Sequence, residues 1–250
     1  MATAIIDGKK QDRVVSSKDR SLMATPFYPP PAPAPPSGPA SKIAVVGEQF
    51  CAPYTVDLTV TEKAISLTDG DYVVTDVNGN ILFKVKGKFL SLRDRRILLD
   101  AVGNPLLSMQ QKIQFKRLEE LIDAVVLQMI SMHRRWQVYK GDSSNSADLL
   151  FSVKKSSLLQ FKTELDVFVA SNTAESHCDF KVKGSFHERS CLIYLGDSTN
   201  VIARMHREYT VKNIVLGKDA FGITIYPNVD YAFVVALIVI LDEINEDRHD

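Results

Sequence analysis

DYAFVVALIVILDE, residues 230–243, runs from Tyr231 to Leu241 without a polar interruption. About 20 apolar residues are needed to cross a bilayer, and this run of eleven is closed by Asp230 and Asp242. A segment apolar on every side and too short for a membrane reads as a helix surrounded by protein. Pro227 and Asn228 form a stop before it, and Asp230 is expected in the first turn, where the positive end of the helix dipole favours a carboxylate. The β-branched residues Val234, Val235, Ile238, Val239 and Ile240 also suit a strand, but eleven residues exceed a usual buried strand, so helix is preferred, over about 228–245.

The rest of the chain must supply what surrounds that helix. Lys+Arg 30 balance Asp+Glu 30 and 45% of residues are apolar, enough for a sizeable core and too neutral for a dedicated nucleic-acid binder. Three cysteines, Cys51, Cys178 and Cys191, are an odd number at unrelated spacings, which speaks for a reducing compartment. The start, MATAIIDGKKQDR, lacks the apolar core of a signal peptide. An intracellular protein is expected, cytoplasmic, nuclear or peripheral at the plasma membrane.

Residues 1–41 form a tail, with eight of the eleven prolines between Pro26 and Pro39. Such chain lacks backbone donors and holds an extended geometry. It reads as a solvated arm, with docking to a proline-recognising domain as its functional alternative.

From residue 42 to 250 short alternating strands separated by turns mark a single domain. DYVVTDVNGNILFKVKG places Asn78 and Gly79 as the two positive-φ positions of a type I′ hairpin. Further turns are expected at Gly103 and Asn104, in the Ser/Asn cluster after Lys140, and in GDSTN at 196–200. FKVKG occurs twice, at 83–87 and 180–184, and in both places a strand, a basic turn, a strand, a turn and a strand follow. Two related β halves and one apolar helix predict a mainly β (α+β) fold. It is a closed antiparallel barrel of about twelve strands around a central hydrophobic C-terminal helix, because a barrel that wide is not filled by side chains alone. Residues 114–129, QFKRLEELIDAVVLQM, break the pattern with a helical period and read as an atypical insertion lying outside the barrel.

CAPYTVDLTV, SLTDGDYVVTDVNGNILFKVKG, ISMHRRWQVY, CDFKVKGSFHERSC, LGKDAFGITIYPNVDYAF and the apolar helix together resemble the plant LURP-one-related family, over roughly residues 42–247. That resemblance implies a barrel around a central helix, shared with the tubby C-terminal domain and the phospholipid scramblases. Residues 114–129 depart from the family pattern.

The resemblance to tubby implies phosphoinositide or anionic-membrane binding. Strand alternation turns Lys84, Lys86, Lys181 and Lys183 outward; Arg93, Arg95 and Arg96 add a basic turn and Arg134 and Arg135 a further pair. Clustered cations hold phosphate by charge-assisted hydrogen bonds, although lysines on a barrel surface also serve simply to discourage edge pairing. The segment before the helix resembles the acidic stretch of scramblases, yet only Asp219 and Asp230 are carboxylates there, too few for the six to eight oxygens of calcium. His177, Cys178, His187 and Cys191 are zinc-ligand types without the spacing of a paired knuckle, so no metal or cofactor is expected. There is no GxSxG elbow, phosphate-cradling loop or HExxH motif; His133 and His206 beside arginines are explained by duplication. The expected function is a non-enzymatic module of plant signalling or defence. A protein-interaction scaffold, or a membrane-tethered transcription regulator using the Pro-rich arm, is the alternative.

Overall fold

A computed structural model describes residues 41–62, 72–87, 95–113, 134–156, 163–185, 188–207 and 220–246. Within these lie β1 (Val56–Glu62), β2 (Tyr72–Thr75), β3 (Ile81–Gly87), β4 (Arg95–Asp100), β5 (Pro105–Ile113) and β6 (Arg134–Lys140). They are followed by β7 (Leu149–Lys155), β8 (Thr163–Val169), β9 (Phe180–Ser185), β10 (Ser190–Leu195), β11 (Val201–Arg207), β12 (Ala220–Ile225) and α1 (Tyr231–Glu246). Residues 1–40 of the tail, the 114–129 segment, Arg93, His133, His187 and Asp219 lie outside the described residues.

Every strand pairs antiparallel with its sequence neighbours, and β12 returns to β1 in the register Val56↔Ile225 to Thr61↔Ala220, so the ring closes. Alternation sorts the side chains: Phe83 and Val85 of β3, and Phe180 and Val182 of β9, are buried, while the lysines between them are not. No residue from Ala232 to Leu241 is more than 4% exposed, because α1 occupies the axis of the ring. A membrane is not needed to explain its composition, and no helix among the described residues is long and apolar enough to cross one.

The two FKVKG segments grip the start of this helix. Phe83 packs on Tyr231 at 5.8 Å between ring centroids, and Phe180 on Phe233 at 4.7 Å; Phe151 meets Phe233 edge-on at 5.0 Å. The registers repeat after half a turn of the ring. Lys86↔Ile97 and Ile97↔Ser108 in the first half correspond to Lys183↔Leu192 and Leu192↔Arg204 in the second. The barrel is thus two six-strand halves, β1–β6 and β7–β12.

Several local readings need correction. The Asn78–Gly79 turn is not a two-residue type I′ loop, since only Gly79 has positive φ (83°) and the strands end at Thr75 and resume at Ile81. The Asp76 carboxylate accepts from Asn78 N (2.9 Å), Asn80 N (2.8 Å) and Asn80 Nδ2 (2.9 Å), which makes a longer loop the better-bonded solution. Asp100 repeats this arrangement with Gly103 and Asn104, where Gly103 has φ 110°. Arg95 and Arg96 do not sit in a turn but open β4. Asp230 precedes α1 as its cap, with Oδ1 accepting from Phe233 N at 3.0 Å, instead of lying in the first turn.

Candidate functional site

The outward cations were expected to act together, and the ring decides which of them can. Lys84 and Lys86 are on β3, Lys181 and Lys183 on β9, and β3 and β9 are six strands apart in either direction around twelve. The two lysine pairs therefore stand on opposite walls and do not form one site. Arg95 and Arg96 on β4 adjoin the first pair, and Arg134 and Arg135 open β6.

Most of these cations already face carboxylates. Lys181 Nζ is 2.5 Å from Asp197, 3.5 Å from Asp166 and 3.9 Å from Glu164. The hydrogen bond to Asp197, against the opposing effect of burial, holds the Lys181 amine above its ordinary pKa; the same bond holds Asp197 below its own. Lys183 lies 3.4 Å from Glu164 and 6.0 Å from the centre of the Tyr194 ring. Lys84 Nζ donates to the Ala101 carbonyl at 3.1 Å.

Connections from the end where α1 begins fold back over the strands, at β4 and at β6–β7. Arg95 Nη2 donates to the Asp142 carboxylate (2.5 Å) and carbonyl (3.0 Å). Arg135 and Lys154 converge on Glu175, and Arg135 Nη2 also donates to Ser152 Oγ at 2.5 Å. Burial raises the Glu175 carboxyl, but the hydrogen bonds and charges of Arg135 and Lys154 outweigh it and hold the group below the usual range. Arg96 pairs with Glu243 of α1, tying the barrel wall to its contents.

Asp230 is one of the two carboxylates in the segment that resembles the scramblase stretch. It is fully buried, and Oδ2 accepts from Val45 N (3.1 Å), Val46 N (2.7 Å) and Gly47 N (3.0 Å). With Phe233 N on Oδ1, both oxygens are taken by backbone donors, so the carboxylate serves as the knot between the strap 43–51 and the helix. Residues 183 to 185 positions apart make these bonds, and no sequence motif announced them. Cys191 and Cys178 are not brought together either. Cys191 faces the core, where burial pushes its thiol up to about 12. Cys178 lies in the connection before β9, and burial, reinforced by the charges of Asp166 and Asp197, pushes it up to about 11.

At the other end of α1, Tyr72 donates its hydroxyl to Asp242. Beside them lies a cavity of about 10 Å³ lined by Val60, Tyr72, Val74, Phe221, Val235, Ile238, Val239 and Asp242. That is room for about one water, against the hundreds of Å³ of a usual ligand pocket. Among the described residues α1 fills the interior of the ring.

The comparisons with known proteins agree with this architecture. The family model described as LURP-one-related matches residues 56–242. Protein LURP-one-related 15 of Arabidopsis thaliana is 51% identical over 205 residues, covering 82% of this chain and 87% of that protein. Protein LURP-one-related 10 of the same plant is 46% identical over 210 residues, covering 83% of this chain and all of that protein. An X-ray structure of an Arabidopsis thaliana protein, 42% identical, superposes with a TM-score of 0.59 over 81% of this chain and 98% of its own. The chain belongs to the LURP-one-related family.

Proposed function

We propose that this protein is a non-enzymatic module that meets anionic surfaces, phosphoinositide membranes among them, with the end of the barrel at which α1 terminates, in plant signalling or defence. The observation that carries this reading is the segregation of charge between the two ends. The hairpin connections at the end where α1 begins, 76–80, 101–104, 141–148, 170–179 and 196–200, contain no Lys or Arg. They carry Asp76, Asp142, Asp148, Glu175, Asp179 and Asp197. Hydrogen bonds from Asn80 and Asn104 hold Asp76 and Asp100 below the ordinary carboxylate range, which keeps that rim ionised. At the opposite end Lys86, Arg95, Arg96, Lys112, Arg134, Lys155, Arg189 and Arg207 stand against Glu62, Glu164, Glu188 and the α1 carboxylates Asp242, Glu243 and Glu246, so cations are in excess there among the described residues. A polarised body of this kind is oriented by a negatively charged surface before it touches it.

The test is co-sedimentation with phosphoinositide-containing vesicles over a salt series. Each surface cation contributes about 1 kcal/mol near an anionic membrane, so replacing Lys86, Lys112 and Lys155 together by Gln is expected to weaken binding on the order of a hundredfold. Absence of binding at low salt, or binding unchanged by the triple replacement, refutes the reading.

A further inference from the structure

The two halves of the barrel repeat in register but are not dressed alike. On the first wall the connection after β6, residues 141–148, returns along the outside of β4 and β5. Arg95 holds Asp142, while Ser108 Oγ and Gln110 Nε2 both donate to the Ser143 carbonyl, the latter at 3.3 Å. Beneath it Ser108 is fully buried, and Leu99 and Gln110 are buried with it.

Half a turn away the corresponding chain is not available. The residues after β12 turn inward, with Asp230 N donating to the Ile43 carbonyl and the chain entering α1 at Tyr231. Among the described residues no second segment covers that wall. Leu192, the counterpart of Ile97, is 37% exposed; the Lys183 side chain, counterpart of Lys86, is 53% exposed. Arg204 replaces the buried Ser108. Its Nε is shielded from water without a hydrogen-bond partner, and its guanidinium forms no ion pair among the described residues. Arg204 as a whole is half-buried, so the outer donors of its guanidinium remain available to an incoming oxygen.

We propose that this outer wall of β9–β11 is a docking site for an acidic loop of a partner protein, seated as residues 141–148 are seated on the opposite wall. Carboxylate and carbonyl oxygens of the partner reach Arg204 and Lys183, and an apolar side chain lies on Leu192 and Tyr194. Charge complementarity selects the chemistry: Arg204, without an ion pair among the described residues, and the half-exposed Lys183, 3.4 Å from Glu164, flank one exposed leucine, and a guanidinium takes a carboxylate in a two-pronged geometry. A lipid surface fits less well. The side of a cylinder meets a plane along a line, whereas a loop follows the curved face as residues 141–148 do on the opposite wall. This site is separate from the basic end of the barrel.

The full chain, labelled with nitrogen-15, is titrated with the synthetic acidic peptide DSSNSADL, the sequence of residues 142–149, and with its Asp-to-Asn analogue. Saturable amide shifts confined to β9–β11, absent with the analogue, are expected. Arg204→Gln and, independently, Leu192→Ser should each weaken binding by about tenfold, while Lys84→Gln on the opposite wall changes nothing. Thermal midpoints report that the variants fold, and both replaced side chains are partly exposed. No saturable shift, shifts elsewhere on the barrel, or affinity indifferent to both replacements overturns the proposal. Loss of vesicle binding in Arg204→Gln also overturns it, assigning the wall to lipid, whereas failure of the vesicle experiment alone leaves this site standing.

Discussion

Replacing Asp230 by Ala removes the acceptor for four backbone N–H groups at once: Val45, Val46 and Gly47 of the strap, and Phe233 in the first turn of α1. A hydrogen bond to a charged group contributes about 1.5–3 kcal/mol, and a helix cap about 1 kcal/mol. The strap donors are only partly buried and regain some hydration when released, so about 1 kcal/mol each is the fitting figure, and the total is about 4 kcal/mol. For a domain of this size each kcal/mol moves the melting midpoint by about 2–4 °C, which places the variant about 8–16 °C below the parent. Asp230→Asn keeps one acceptor oxygen and should lose about half as much. Urea denaturation of the three proteins gives the free energies, and amide exchange shows where the opening begins. Protection should fall first at 43–51, whose Phe50 ring otherwise rests on Tyr231 at 5.5 Å. A loss under about 1 kcal/mol in Asp230→Ala, or unaltered protection of the strap, would show that this carboxylate does not join the two segments.

Ile238 is buried against the wall, so Ile238→Asp places an unpaired charge in the barrel at a cost of several kcal/mol and should abolish soluble expression, while Val77→Asp on a loop 77% exposed leaves yield unchanged. Cys191, its thiol pushed up to about 12 by burial, should resist iodoacetamide at pH 8 until denaturant is added; rapid modification of the folded protein, read by mass spectrometry, would contradict its place inside the ring. Glu175 has a folded pKa below its ordinary value, despite burial, through Arg135 and Lys154. Its contribution to stability is therefore present above the ordinary value of 4.5 and lost as pH falls through the folded value. Glu175→Gln should be less stable than the parent at pH 7, with the gap narrowing in acid; a pH-independent gap in urea denaturation would count against the ion pairs.

The features legible in advance were those written locally. Eleven apolar residues between two aspartates fixed the axial helix, and alternation told which residues of each FKVKG faced inward. Alternation fixes the face of a strand but not its position around a ring. That is why Lys84, Lys86, Lys181 and Lys183 looked like one set until the closed order of strands separated them. Asn78–Gly79 misled for a similar reason, since the dipeptide favours a tight turn but the Asp76 carboxylate two positions earlier offers three hydrogen bonds to a longer one. The Asp230 knot joins segments at opposite ends of the described chain, and nothing short of the fold brings them together.

Closure by duplication has a consequence for where function can lie. A motif repeated after six of twelve strands falls on diametrically opposite walls, so its two copies cannot make one composite site, however alike they are. Copies that share a structural duty should instead stay equivalent, as Phe83 and Phe180 do in holding the two sides of α1. Asymmetry is then the informative signal. The halves part company where the chain after β6 folds outward over its wall and the chain after β12 folds inward to fill the barrel. The chain that fills the barrel is the counterpart of the one that covers β4 and β5, and Leu192 is 37% exposed on the second wall whereas Ser108 and Leu99 are buried on the first.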